Sequence, residues 1–502
     1  MKLRVAARRS DLARAQAYKV GSTIQEKIPG TEIEYIFKKS LGDINLHDPL
    51  WKMPEKGVFT SDLSQDLKAG HCDMVVHSWK DLPIEIDAKS EIAATLPRED
   101  ARDLLFFKKA SFSKLKLHEK ITIYSSSPRR VYNAGKFLKK YLAGAPHDIS
   151  FRDIRGNIAT RLNKYLNDNE VDGIIVAKAA IDRMLEARSE EYQESHLQIT
   201  KTLAASLISC LPLLENPPAA AQGALAIEIL RDREDLKSLL SKINCERSFA
   251  AVSREREWLK SYGGGCHQKI GASVIVDDFG RIEILKGESP EGKILEESHF
   301  VATKKVTQKF SRKNIYPSEI RNELFNRINL NPEIPSTIEA LWVSRSNSLP
   351  EAWEITPETY VWTSGLKTWH SLAQRGIWVN GSCESLGENS KLSEKSLDPL
   401  LNRKIKWTKL SHEEGYESQD KESMATYKLE ALKNTIDFKL YDAFYWMSGS
   451  QFEVALKQDP SLKSRGLHAC GPGNTAQKLK SLGLDPYIYP NFDYFLKDFA
   501  IL

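Results

Sequence analysis

Cysteine is scarce and scattered: six in 502 residues, at 72, 210, 245, 266, 383 and 470, with no Cys-x-x-Cys spacing. That disfavours both a disulfide framework and a zinc site, and no metal is expected. Long apolar runs are missing as well. The longest stretch without a charged residue, 202–214, has 13 residues, short of the ~18 that mark a membrane span. The first nine residues meet charge before an apolar run can develop, so no secretory signal is expected. Nor is there a strong excess of one charge. Lys plus Arg number 72 and Asp plus Glu 67, a net +5, too balanced for a generic nucleic-acid binder. Internal repeats and low-complexity tracts are absent. What remains is a soluble, multidomain protein of a reducing compartment, expected in the cytoplasm. At roughly 100–200 residues per domain it has about three to five of them.

Composition divides near residue 330. Residues 331–502 carry a net charge of −3 and seven of the ten tryptophans. The stretch 329–337, with Pro332 and Pro335, reads as a linker, because two prolines forbid continuous helix or ladder. Before it, strand-like runs (2–7, 32–39, 73–77, 172–177) alternate with helix-like ones (11–27, 179–187). This rhythm predicts α/β layers with largely parallel sheets. Residues 271–306 differ: two strand-like runs bracket the turn at 277–280, which predicts a small α+β unit.

The arginines sit where helices should begin. Arg8 and Arg9 precede Ser10, a good N-cap for the helix at 11. Ser125-Ser126-Ser127-Pro128 caps a second helix whose first residues are Arg129 and Arg130. Arg155-Gly156-Asn157 opens a third, with Arg161 following. Cations there oppose the helix dipole by ~0.3–1 kcal/mol each at exposed sites. Free backbone N–H groups beside guanidinium forks are, however, what a bound carboxylate or phosphate requires. Any one of these arginines reads equally as a solvated side chain; three such helix starts point to a polyanionic ligand. His77-Ser78-Trp79-Lys80-Asp81-Leu82-Pro83 follows a buried-looking strand, where open α/β folds place reactive groups. Lys80 and Asp81 offer a cation and a carboxylate, although such a pair is commonly only surface. His77 reads as structural. Lys56 lies in a short flexible turn, Lys56-Gly57. Gly263-Gly264-Gly265-Cys266 strips side chains from the backbone leading to one thiol, which reads either as a tight turn or as a covalent attachment point.

In order, Arg8-x-Ser10, Ser40-x-Gly42-Asp43, Lys56-Gly57-x-Phe59, His77-Ser78-x-Lys80-Asp81-x-Pro83, Arg129-Arg130, Arg155-Gly156-Asn157 with Arg161, Gln222-Gly223-Ala224 and Gly264-Gly265-Cys266 resemble the hydroxymethylbilane synthase (porphobilinogen deaminase) family over 1–330. The resemblance implies a transferase that deaminates four porphobilinogen molecules and joins them head to tail into linear hydroxymethylbilane. The growing polypyrrole is carried on a dipyrromethane cofactor, covalently bound through a thioether, here to Cys266. Asp81 matches the catalytic aspartate. Lys80, Asp81, Ser125, Ser127, Arg129 and Arg130 match cofactor contacts. Arg8, Ser10, Lys56, Arg155, Arg161 and Arg183 match positions around the substrate carboxylates. The implied fold is two periplasmic-binding-protein-like lobes, a small α+β third domain with the cysteine, and a C-terminal α/β domain. The expected boundaries are 1–102 plus ~218–242, 103–217, 243–330 and 331–502. The chain departs from the family with Pro54-Glu55 before the Lys-Gly turn, Ser125 where Thr is common, Pro128 for a leucine-like residue and Lys269 for a proline.

In the last third, Gly471-Pro472-Gly473-Asn474-Thr475-Ala476, followed by Leu482-Gly483, resembles a segment of uroporphyrinogen-III synthase. It implies a second activity that cyclises hydroxymethylbilane to uroporphyrinogen III. The alternatives are a deaminase with a non-catalytic C-terminal docking module, or a two-lobed polycarboxylate-binding protein.

Overall fold

The computed structural model describes residues 1–38, 61–264, 268–318, 324–335, 337–413, 415, 420–432 and 436–501. Ser40, Gly42, Asp43, Lys56 and Cys266 lie outside the described residues. The first part holds two five-stranded sheets. In chain order their strands are β1 (Lys2–Arg8), β2 (Glu32–Lys38), β3 (Met74–Ser78), β4 (Ser90–Ala94), β5 (Asp103–Lys108), β6 (Ile121–Tyr124), β7 (Ile149–Arg152), β8 (Gly173–Ala177), β9 (Ser206–Leu211) and β10 (Leu225–Leu230). The sheet orders are β2-β1-β3-β10-β4 and β7-β6-β8-β5-β9. Each has a parallel trio, then one strand antiparallel to its neighbours on both sides. The two lobes therefore share one topology, the two-lobed α/β arrangement implied by the sequence. The sequence Gly173-Ile174-Ile175-Val176-Ala177 is buried throughout, as a strand covered on both faces must be.

Two segments cross between the lobes, 95–102 leaving β4 and 212–224 returning to β10. They meet at Gly223. The Glu99 N–H donates to the Gly223 carbonyl at 3.1 Å. Gly223 has φ +85°, and a Cβ there would stand 2.6 Å from the Glu99 carbonyl oxygen. Only glycine suits that crossing.

A third unit packs the helix Glu246–Lys260 against the meander β11 (Gly271–Asp277), β12 (Gly280–Glu288) and β13 (Ile294–Ala302). Its buried Glu255 accepts both Arg98 guanidinium nitrogens at 2.6 and 2.9 Å, plus the Ala221 and Val274 N–H groups at 2.8 Å each. One carboxylate thus fastens this unit to both crossovers.

Segments on the N-terminal side of the boundary expected at 330/331 pair with strands of the last third. Strand Phe310–Ser311 pairs with Ala500–Ile501, Ile315–Tyr316 with Ala443–Trp446, and Phe325–Asn329 with Glu422–Ala431. The C-terminal region thus begins near residue 310; its β-strands resist a composition-based boundary because pairing, not charge or tryptophan content, decides membership. It contains two α/β sheets of its own, with four and six strands. The chain enters the four-stranded sheet, crosses to the other and returns.

This region is welded to the second lobe rather than tethered to it. Leu105, Phe107, Phe137 and Leu138 share one apolar cluster with Leu341, Trp353, Trp369 and Trp378. The edge of β9 is covered: the Cys210 N–H donates to the Asn380 carbonyl at 2.8 Å, and Trp378 Nε1 and Asn380 Nδ2 donate to the Ile208 carbonyl at 3.0 and 2.7 Å. Covering an edge strand removes a pairing hazard. Trp378 is 2 % exposed, so Trp378→Ala should cost about 3–5 kcal/mol by cavity creation. Urea unfolding of the full chain, followed by near-UV circular dichroism, would measure it.

Candidate active site

Every site residue proposed from sequence that falls in the described lobes lies at or beyond the carboxyl end of a parallel strand. Arg8 ends β1, with Ser10 two residues on. Lys80 and Asp81 leave β3 in a single 3-10 turn. Ser125 to Arg130 leave β6, and Arg155 follows β7. Arg183 lies on the helix Lys178–Glu186 that follows β8. In open α/β sheets this is the edge where ligands bind.

Side-chain bonds aim the β3 turn. Gln16 on the helix Asp11–Lys27 exchanges hydrogen bonds with Ser78 Oγ at 2.9 and 3.0 Å. His77 Nε2 meets Glu228 at 2.9 Å inside the sheet, which gives that histidine a structural role. Lys80 Nζ donates to Gln222 Oε1 at 3.3 Å. Burial pulls the Lys80 ammonium below its ordinary pKa, opposed by Asp81 and Asp103 and reinforced by Arg130 and Arg129. Those arginines belong to the other lobe, so the two sheet edges face one another.

Arg129 and Arg130 begin the helix Pro128–Tyr141, where Ser127 Oγ accepts the Arg130 N–H at 3.5 Å. Both guanidinium groups are buried and share one carboxylate. Arg129 Nη2 donates to Asp103 Oδ2 and Arg130 Nη2 to Asp103 Oδ1, each at 2.8 Å. Gln222 Nε2 and Asn216 Nδ2 donate to the same carboxylate at 2.9 and 3.0 Å. Burial opposes ionisation of Asp103, yet Arg129 and Arg130 hold it well below the usual carboxylate range. Among the described residues, the buried Nε atoms of Arg129 and Arg130 have no hydrogen-bond partner. Each guanidinium therefore keeps donor capacity for a ligand.

Asn157 Oδ1 caps the helix Ile158–Asn167, accepting the Thr160 N–H at 2.9 Å. Arg161 Nε donates to the Gly156 carbonyl at 2.8 Å. Burial lowers its pKa to about 10, helped by Arg130 and Arg155 and opposed by Asp81; it remains a cation at neutral pH. The structure thus brings Lys80, Asp81, Arg129, Arg130, Arg155 and Arg161 within electrostatic reach of one another. Among the described residues cations outnumber carboxylates there even after Asp103 is counted, the balance a polycarboxylate requires.

Two residues stand differently from the rest. The Ser10 hydroxyl makes no capping hydrogen bond, although Ser10 does precede the helix. Arg183 is buried at the lobe crossing, donating from Nη2 to the Gly223 carbonyl at 2.6 Å, and its charged neighbours are Glu99, Glu186 and Asp182. Asp103, which organises the arginine pair, went unrecognised in the sequence. Its signal was the charged run Arg98 to Asp103, with Ala101 its one neutral residue, running straight into Leu104-Leu105-Phe106-Phe107. A carboxylate fused to four consecutive buried apolar residues has no room to be solvated.

Asp103→Asn would leave two buried cations uncompensated, a loss of about 3–5 kcal/mol, visible as a lower denaturation midpoint. Lys80→Arg tests the depressed ammonium: a guanidinium keeps its proton beyond pH 12. The alkaline limb of kcat/KM should move to higher pH in that variant.

A family model described as "Porphobilinogen deaminase, dipyromethane cofactor binding domain" matches residues 3–238. Porphobilinogen deaminase of Syntrophomonas wolfei is 36 % identical over 271 residues, 54 % of this chain and 79 % of that protein. That of Caldicellulosiruptor saccharolyticus is 35 % identical over 291 residues, 57 % of this chain and 90 % of that one. The Campylobacter hominis enzyme is 32 % identical over 328 residues, 65 % of this chain and 95 % of its own length. With relatives this similar matched over most of their length, and a cationic cleft formed by the strand ends of two like lobes, the chain belongs to the porphobilinogen deaminase family.

Proposed function

We propose that the chain joins four porphobilinogen molecules head to tail on a dipyrromethane primer held by Cys266 and releases linear hydroxymethylbilane. The observation that carries this reading is Asp81, set on the β3 turn of one lobe, facing buried arginines on the helix starts of the other. The residues suit a primer bearing several carboxylates, because the Arg129 and Arg130 guanidinium groups each retain an unpaired buried Nε. Lys80, Ser125, Ser127, Arg129 and Arg130 would hold it, with Asp81 beside them. When bound, the primer supplies the free pyrrole α-position at which the chain grows.

The protein's own part is positional and electrostatic. Asp81 accepts pyrrole N–H groups and stabilises the positive charge that develops as ammonia leaves the substrate. Proton transfer and charge stabilisation of this kind contribute about 10²–10⁴-fold. Each ring carries one acetate and one propionate, so four additions bring eight carboxylates to the cleft. Arg8, Ser10, Lys56, Arg155, Arg161 and Arg183 are assigned to them. The chain would work in the cytoplasm, as a monomer.

A second reading concerns the C-terminal region, which we propose cyclises hydroxymethylbilane. Arg345 follows the strand Ala340–Val343, and burial together with neighbouring Arg327 lowers its pKa. Among the described residues, the buried Arg327 Nε has no hydrogen-bond partner. Tyr427 adjoins Arg345 and packs against His412, whose Nε2 lies 3.5 Å from Ser450 Oγ on a helix of the other C-terminal sheet. Two guanidinium groups near a junction of two α/β sheets suit a carboxylate-rich linear tetrapyrrole.

Intact mass of the denatured chain tests the first reading. Unsubstituted protein should carry two pyrrole units on the peptide containing Cys266, and Cys266→Ser should carry none. Asp81→Asn should retain the adduct and lose at least ~10²-fold in product formation. Isomer analysis of the oxidised product tests the second: Arg345→Ala should shift uroporphyrin from the III to the I isomer while total tetrapyrrole output is unchanged.

A further inference from the structure

One loop of the C-terminal region, residues 379–396, touches both crossovers of the deaminase. At its start the Val379 carbonyl accepts Ser209 Oγ at 2.6 Å on β9. Next comes Glu384, whose carboxylate accepts the Leu213 and Leu214 N–H groups at 2.8 and 2.7 Å, one on each oxygen. Both amides belong to the returning crossover. Glu384 and Ser385 have φ of +52° and +65°, a strained conformation at a non-glycine residue, retained only where the surroundings impose it. Farther along, the Leu392 carbonyl and Ser396 Oγ accept Arg102 Nη1 and Nη2 at 3.4 and 2.8 Å. Arg102 belongs to the outgoing crossover and is fully buried, with Asp100 as its ionic partner at 2.6 Å. Lys178 and Asp182 complete the buried charged group.

The two crossovers are the covalent connections between the lobe that holds Asp81 and the lobe that holds the arginines. Their geometry sets the distance across the cleft. We propose that this loop is a clamp on the deaminase hinge, with Glu384 and Ser396 as positioning residues that hold Asp81 and the second-lobe arginines in register during elongation. It rests on the elongation reading above. The C-terminal region then serves the first reaction whatever chemistry it performs itself. A misplacement of about 1 Å across such a cleft costs up to about 10²-fold in rate, so loosened crossovers act on turnover more than on first binding.

The test uses the full chain carrying Glu384→Ala with Ser396→Ala, both outside the cleft. Loading of the two-pyrrole primer, read by intact mass, should match the unsubstituted chain. KM for porphobilinogen should stay within about twofold while kcat falls about 10-fold or more, with protein-bound intermediates of one to four added rings accumulating. Glu384→Gln with Ser396→Thr, which retain acceptor oxygens, should recover part of the rate. Normal kcat and normal intermediates in the folded double variant would overturn the clamp. Should the unsubstituted chain load primer and release no tetrapyrrole, linear or cyclised, the elongation reading fails and the clamp fails with it. If the alanine variant does not fold, native-state hydrogen exchange of the unsubstituted chain decides. Leu213 and Leu214 amides should then exchange at least about 100-fold more slowly than exposed loop amides; loop-like rates would overturn the proposal.

Discussion

The arrangement depends on a single buried carboxylate. Asp103 accepts from Arg129, Arg130, Gln222 and Asn216. Removing a carboxylate and two guanidinium groups from water carries a penalty of several kcal/mol per ion. A stability-driven sequence would fill the site with leucine. Here the charges are retained, and the geometry shows their use. Asp103 is the first residue of β5, beside the outgoing crossover, while Gln222 and Asn216 lie on the returning one. The arginines start a helix of the second lobe, and Gln222 also receives Lys80 from the first. Crossovers, arginine pair and the β3 turn are therefore referred to one point.

That point explains how arginines can occupy helix starts without being repelled from them. A helix N-terminus is positive and the next cation is unwelcome. Asp103 neutralises part of this charge from inside the sheet, leaving Nε of both arginines unengaged. The cleft keeps a cationic excess and the fold tolerates it. Arg161 follows the same logic with weaker compensation. Burial first, then Arg130 and Arg155, lower its pKa to about 10, with Asp81 opposing.

Much of this was legible in the sequence, and the reason is local. Strands such as Gly173–Ala177, caps such as Asn157, and Lys80-Asp81 after a buried strand are each written within a few consecutive residues. The Asp103 hub was not, because its four donors come from positions 129, 130, 216 and 222 and only the fold brings them together. Ser10 shows the converse: a residue of the right type before a helix makes no cap, since local preference does not decide where its hydroxyl points. The pairing of residues 310–329 with the last third was not legible for a related reason. Two-residue strands such as Ile315–Tyr316 carry almost no periodic signal, and their membership is set by partners more than 120 residues away.

The interface between the deaminase lobes and the C-terminal region argues against a simple fusion of independent modules. Interfaces between separable domains are polar and modest. This one places Trp369, Trp378 and Trp353 in the same apolar cluster as Phe107 and Phe137, completes the edge of β9 through Asn380, and sends a buried glutamate to the returning crossover. Glu384 reinforces the point electrostatically. Burial raises its pKa to about 7 although two backbone N–H groups and Arg102 favour its ionised form, so the interface bears a desolvation cost that a passive tether would avoid. Three residues beyond it, Gly387 lies with its backbone against Gly473, and a Cβ on Gly387 would stand 3.2 Å from the Gly473 Cα. The loop that holds the deaminase hinge is thus also the loop on which the second C-terminal sheet rests. Rotating those two sheets against each other cannot leave the deaminase crossovers untouched, and the two halves of the chain form one mechanical unit.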